Sequence, residues 1–149
     1  MSARFHQLST GEFAELVGRF DFTRHIDQVH LHHTWKPAHA DYDGLSTIEG
    51  MWRYHTQDLG WSDIAQHVTI APDGTIWTGR PWSQPPCSAT GHNGNRFAGP
   101  FMIEMIGDFD GHDRLEDPQL DATLEVIARV QRRSGLPPHA LRFHNEMSP

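Results

Sequence analysis

The sequence predicts an α/β protein: a mixed central β-sheet flanked by helices. Three observations carry this expectation. Some segments repeat apolar residues at helical spacing, others alternate or run apolar over strand lengths, and the two kinds interleave along the chain. At 149 residues the chain has the length of one domain and can bury a core, so residues 1–149 are read as a single unit.

The first helix is expected in "STGEFAELVGRF", where Ser9 and Glu12 have capping-box spacing and Phe13, Leu16 and Val17 share one face. "HIDQVHLHHTW" then sets Val29 and Leu31 against His30 and His32 with period two, a strand with one apolar face and one face of histidine. "STIEGMWRYHTQDLG" opens on a second capping-box spacing, Ser46 to Glu49. It carries Ile48, Met51, Trp52, His55 and Leu59 at helical spacing before Gly60. "IAQHVTIAPDGTIWTGR" reads as a hairpin about Pro72, Asp73 and Gly74. From Pro81 to Pro100 the chain is rich in Pro, Gly, Ser and Asn without a period, a long loop of the kind that usually serves function.

"FMIEMIGDF" is a strand apolar on both faces except for Glu104. "DPQLDATLEVIARVQRRSG" follows as a helix, with Asp117 as N-cap, Pro118 in the first turn, Arg132 and Arg133 in the last, and Gly135 as its stop. After Pro137 and Pro138, "ALRFH" is a short strand ending on His144.

Composition narrows the function. Nineteen acidic residues against twelve Lys and Arg give a formal charge of −7, which offers phosphate backbones no basic surface and argues against a nucleic-acid partner. One cysteine, Cys87, cannot pair within the chain, so nothing demands an oxidising compartment. No run is long and apolar enough for a membrane span, and the first twenty residues lack a signal-peptide pattern. The expected location is therefore the cytoplasm, or outside it by release or export without an N-terminal signal. Twelve histidines and five tryptophans are unusual in number, so the positions of these residues carry the argument.

His32, Glu104 and His144 are polar residues on three segments that otherwise read as apolar strands. Two imidazoles and a carboxylate at one end of a sheet meet most needs of a hydrolytic zinc centre, which takes nitrogen or oxygen donors, keeps one position open and needs a group to move a proton. Spacing alone leaves a second reading open, with both histidines as core residues bonded to backbone and Glu104 paired with an arginine.

The words "HLHHTW", "GWSDIAQHVTIAPDGTIWTGRPW", "GHNG", "MIEMIGDFD" and "LRFHNEMSP" occur in this order. Together they resemble the type 2 N-acetylmuramoyl-L-alanine amidases, a family that includes the peptidoglycan recognition proteins. The resemblance covers residues 29 to 149. It implies Zn2+ held by His32 and His144, with peptidoglycan or muropeptide as substrate. Many members place a tyrosine where this chain has Gln66 in "DIAQH", and others place a glutamate in a strand like "IEMIG". Glu104 is thereby the expected catalytic residue. The family's lysine and its Cys or Asp ligand fall a few residues past the Ser-Pro word, and the sequence ends at Pro149 ahead of both. The third metal donor is left open.

The expected substrate-binding residues are His92 and Asn93 of "GHNG", with Trp35 and Trp82 as aromatic walls for sugar. His30, on the face of His32, is expected to support it. The competing expectation is a domain that holds muropeptide without cutting it. The sequence leaves the oligomeric state open.

Overall fold

The computed structural model describes residues 4–147. Six strands form one mixed sheet: β1 (Gln7–Leu8), β2 (His25–His33), β3 (Val68–Ile70), β4 (Ile76–Thr78), β5 (Ala98–Met105) and β6 (Leu141–Phe143). Their order is β1-β4-β3-β5-β2-β6. The β1–β4 and β3–β4 pairs are antiparallel, whereas β3–β5, β5–β2 and β2–β6 are parallel.

Helices cover both faces, as the interleaved pattern predicts. Phe13 and Val17 of α1 (Thr10–Arg19) and Ala122, Val126 and Val130 of α3 (Gln119–Ser134) pack on Val29, Leu31, Val68, Phe101 and Ile103 of the sheet. On the other side Ile48 and Met51 of α2 (Leu45–Arg53) meet Ile64, Trp77 and Ile106. Side chains alternate along a strand. Val29 and Leu31 therefore feed the first core, joined by Ile26 from beyond the register shift between Ile26 and Gln28, while His30 and His32 turn toward the side of α2.

Local chemistry sets the helix ends, in two cases differently from expectation. The Ser9 box forms: Glu12 N–H donates to Ser9 Oγ at 3.1 Å and Ser9 N–H to Glu12 Oε1 at 2.8 Å. The Ser46 box does not. Gly44, at φ 65°, turns the chain into α2 before Ser46, which then sits inside the first turn and donates to Asp43 O at 2.9 Å. A positive φ costs glycine little. Asp117 caps α3 from one position further back than expected, its Oδ1 accepting from Asp121 N–H at 3.1 Å, with Pro118 at the N-cap. Gly135 ends α3 in the left-handed conformation, as predicted. The hairpin turn places Gly74 at φ 84°. β6 stops at Phe143, so His144 opens a short helix, α4 (His144–Met147), rather than closing the strand. Ser148 and Pro149, the end of the "HNEMSP" word, lie outside the described residues.

Candidate metal centre and its cavity

Strand register builds the site. His32 of β2 lies opposite Glu104 of β5, and Glu104 lies opposite Thr69 of β3. Paired residues of adjacent strands project to the same face, so these three polar side chains form a row on the α2 side of an otherwise apolar sheet. β6 extends the row: Leu31 pairs with Phe143, which sets His144 next to His32. The two imidazole rings meet edge to face with centroids 5.0 Å apart.

His32 is buried and lies 2.7 Å, through Nε2, from Ser88 Oγ. Burial, then the nearby His144, His30 and His33, hold its pKa at about 4, so the ring is neutral near pH 7. The carboxyl of Glu104 has no hydrogen-bond partner among the described residues, and burial alone raises its pKa to about 8. A proton carrier with a pKa near neutrality suits acid–base work.

Glu104 forms part of the wall of a cavity of about 750 Å³, with Trp35, Asp41, Met51, Tyr54 and His55 among the other lining residues. Trp35 lies two residues past the end of β2 and is 60% exposed. Its φ of 60° is rare for a bulky residue. The conformation is held by bonds from Trp35 N–H to Gly107 O and from Thr34 N–H to Met105 O, both 2.9 Å. Lys36 Nζ sits 5.6 Å from the Trp35 ring centroid.

Other expected site residues lie elsewhere. Trp82 is a correction: it is 5% exposed and packs in the first core against Phe13, Phe20, Phe22 and Phe101, on the sheet face opposite the histidines. A tryptophan enclosed by four phenylalanines has no surface left for sugar. Asn93 is half-buried and fastens the loop, its Oδ1 accepting from the N–H groups of Ser88 and Ala89 at 2.6 and 3.1 Å. His92 is exposed on the same loop and near enough to His30 to depress its pKa.

The sequence reading missed two residues here, Ser88 and Thr69, and gave Gln66 no partner. Ser88 bridges His30 and His32 from the long loop. Gln66, at the tyrosine position of other members, donates through Nε2 to Thr69 Oγ1 at 2.9 Å, and its Oε1 is buried without a partner. Thr69 joins the row only through register. Loop composition hinted at Ser88 alone.

Two nitrogen donors about 2.0–2.1 Å from a tetrahedral ion place their ring centres about 5 Å apart, which the His32–His144 spacing of 5.0 Å matches. His32 Nδ1 has no hydrogen-bond partner among the described residues. Those residues hold no group of three His, Cys, Asp or Glu side chains fit for a metal. The arrangement supplies two of the three protein donors that a catalytic zinc takes.

The sequence model of the N-acetylmuramoyl-L-alanine amidase family matches residues 22–148. The chain belongs to that family. It is 27% identical over 124 residues to an N-acetylmuramoyl-L-alanine amidase of Homo sapiens, a match covering 80% of this chain and 21% of the human protein. With peptidoglycan-recognition protein LB of Drosophila melanogaster it shares 31% over 105 residues, covering 67% of this chain and 42% of that protein. The chain thus spans less than half of either relative. A Drosophila PGRP-LB mutant in complex with tracheal cytotoxin superposes with a TM-score of 0.71 at 26% identity, over 86% of this chain and 75% of the other. Human PGRP-Iβ C in complex with glycosamyl muramyl pentapeptide shares the fold, at a TM-score of 0.70 and 19% identity, over 86% of this chain and 76% of the other.

Proposed function

We propose that residues 1–149 act as a zinc-dependent N-acetylmuramoyl-L-alanine amidase domain that cleaves the amide between N-acetylmuramic acid and L-alanine in peptidoglycan or its fragments. The observation that carries this reading is the row itself. Two imidazoles at metal-sharing distance stand beside a carboxyl that opens on a cavity large enough for a muropeptide segment.

His32 and His144 are the residues that would hold the metal, with a further donor from outside this pair. Bound zinc supplies Lewis acidity, which polarises a carbonyl and makes water nucleophilic at neutral pH. Glu104 does the proton work. Its carboxylate takes a proton from the attacking water and returns it to the leaving amine of L-alanine. Beside a dication the carboxyl gives up its proton more readily than in the metal-free chain, because opposite charge favours the ionised form. Trp35 offers an aromatic face in the cavity wall, suited to sugar or lactyl contacts.

Two donors rather than three among the described residues favour a second reading, a domain that binds muropeptide without cutting it. Glu104→Gln separates the two. Under the amidase reading the variant keeps zinc and muropeptide binding and loses cleavage by at least about 100-fold, the scale of a lost general base. Equal cleavage by wild type and variant removes Glu104 from the chemistry; binding without cleavage in both supports the second reading.

A further inference from the structure

His30 is completely buried, Ser88 is 9% exposed, and the two form part of an unbranched chain of hydrogen bonds. Gln28 Oε1 lies 3.0 Å from His30 Nε2, His30 Nδ1 lies 2.7 Å from Ser88 Oγ, and Ser88 Oγ lies 2.7 Å from His32 Nε2. A neutral imidazole has one N–H and one bare nitrogen, and a hydroxyl has one proton to give. The proton order of the whole chain therefore follows from either end. The carbonyl oxygen of Gln28 accepts, so His30 carries its proton on Nε2 and leaves Nδ1 bare. Ser88 then donates to His30 Nδ1, and its oxygen accepts from His32 Nε2–H. His32 is left with a bare Nδ1, the nitrogen free of protein partners.

We propose that Ser88 is a positioning residue that sets the proton of His32 on Nε2 and so presents Nδ1 as a lone-pair donor to the metal. The proposal rests on reading His32 as a metal ligand. The opposite proton order, with the Gln28 amide turned end for end, would place a proton on His32 Nδ1 and close that nitrogen to a metal. A metal-bound imidazole is oriented by the partner of its other nitrogen, and here that partner is a hydroxyl whose own direction is set by a second buried histidine.

The loop is built to hold Ser88 in place. Asn93 Oδ1 accepts from the Ser88 and Ala89 N–H groups. The buried Arg24 donates to Asn93 O, Asn95 O and Pro100 O at 3.1, 2.7 and 2.7 Å. Gly99, at φ 150°, lies where a Cβ would run into the Arg24 guanidinium. Asn93 and Arg24 thus clamp the loop, and through it the serine, without touching the metal position.

The test begins on the metal-free 149-residue chain, using two-bond 1H–15N correlations of the imidazole nitrogens. The expected result is a single neutral tautomer for both His30 and His32, with the proton on Nε2. Ser88→Ala is expected to give His32 a mixture of tautomers and to weaken zinc binding by about 10–100-fold in a chelator competition, the usual effect of losing an outer partner. Ser88→Thr, which keeps the hydroxyl, should restore both.

A wild-type His32 with its proton on Nδ1 overturns the proposal, and that measurement needs no variant to fold. So does a Ser88→Ala protein with unchanged tautomer and zinc affinity. A chain that shows the expected tautomers yet takes up no zinc supports the proton order and removes the amidase reading instead.

Discussion

Glu104 was the most legible residue of the site, because a lone carboxylate in a strand covered on both faces has few structural reasons to be there. Its environment has a measurable consequence. The folded chain keeps the carboxyl protonated up to about pH 8, whereas the unfolded chain releases that proton near 4.5. This group's contribution to stability is complete below 4.5 and is lost as pH rises toward 8. Glu104→Gln should leave the Tm of the metal-free protein unchanged at pH 4 and raise it at pH 7–8, reflecting a gain in unfolding free energy on the order of 2–4 kcal/mol. Equal Tm values at pH 8 would show that the carboxyl is not held neutral. The tryptophans were less legible, since the same side chain serves a core or a sugar face and only burial separates them. Trp82→Ala should cost about 3–5 kcal/mol in urea unfolding. Trp35→Ala should leave stability almost unchanged and weaken muropeptide binding in calorimetry; the reverse pattern would exchange their roles.

At the scale of elements, the longer helices and strands followed from periodicity; the two-residue β1 went unread, and the other errors fell at element ends. Ser9 and Ser46 carry the same sequence word, but Gly44 starts α2 ahead of Ser46, so only Ser9 caps a helix. Ser9→Ala should lower stability by about 1 kcal/mol and Ser46→Ala by clearly less; similar losses in chemical denaturation would contradict the cap assignment. The long loop stood out by its composition, yet nothing in its sequence marked Ser88 over its neighbours. Its role depends on Arg24 and Asn93 bringing residues 88 and 32 together, a contact between distant segments that carries no periodic signal. His144 shows the same limit: the word around it was readable, but its place at the start of α4 was not.

For the whole molecule, α/β class was legible in the interleaved pattern, whereas the strand order and the His32–Glu104–Thr69 register were not, because pairing between distant segments leaves no local trace. The fold also buries neutral histidines. Burial is the leading cause that holds His30, His32 and His55 at about 4 and His67 at about 3. Met102 N–H donates to His67 Nδ1 at 2.9 Å and His67 Nε2 meets Gln84 O at 2.8 Å, so the neutral ring is fully bonded. Each such group adds stability above pH 6.5 that is lost as pH falls toward its folded pKa, since the unfolded chain gains the proton first. With Glu104 acting in the other direction, the Tm of the metal-free protein should peak near pH 6–7 and fall steeply by pH 4.5; a Tm unchanged between pH 7 and 4.5 would contradict it. The central claim, that His32 and His144 form part of a working zinc centre, is tested most directly by zinc content measured together with muropeptide cleavage, before and after chelation. The account predicts stoichiometric zinc and release of the peptide from N-acetylmuramic acid that stops on chelation and returns with zinc. Muropeptide bound by a chain that takes up no zinc and leaves the amide intact would contradict it.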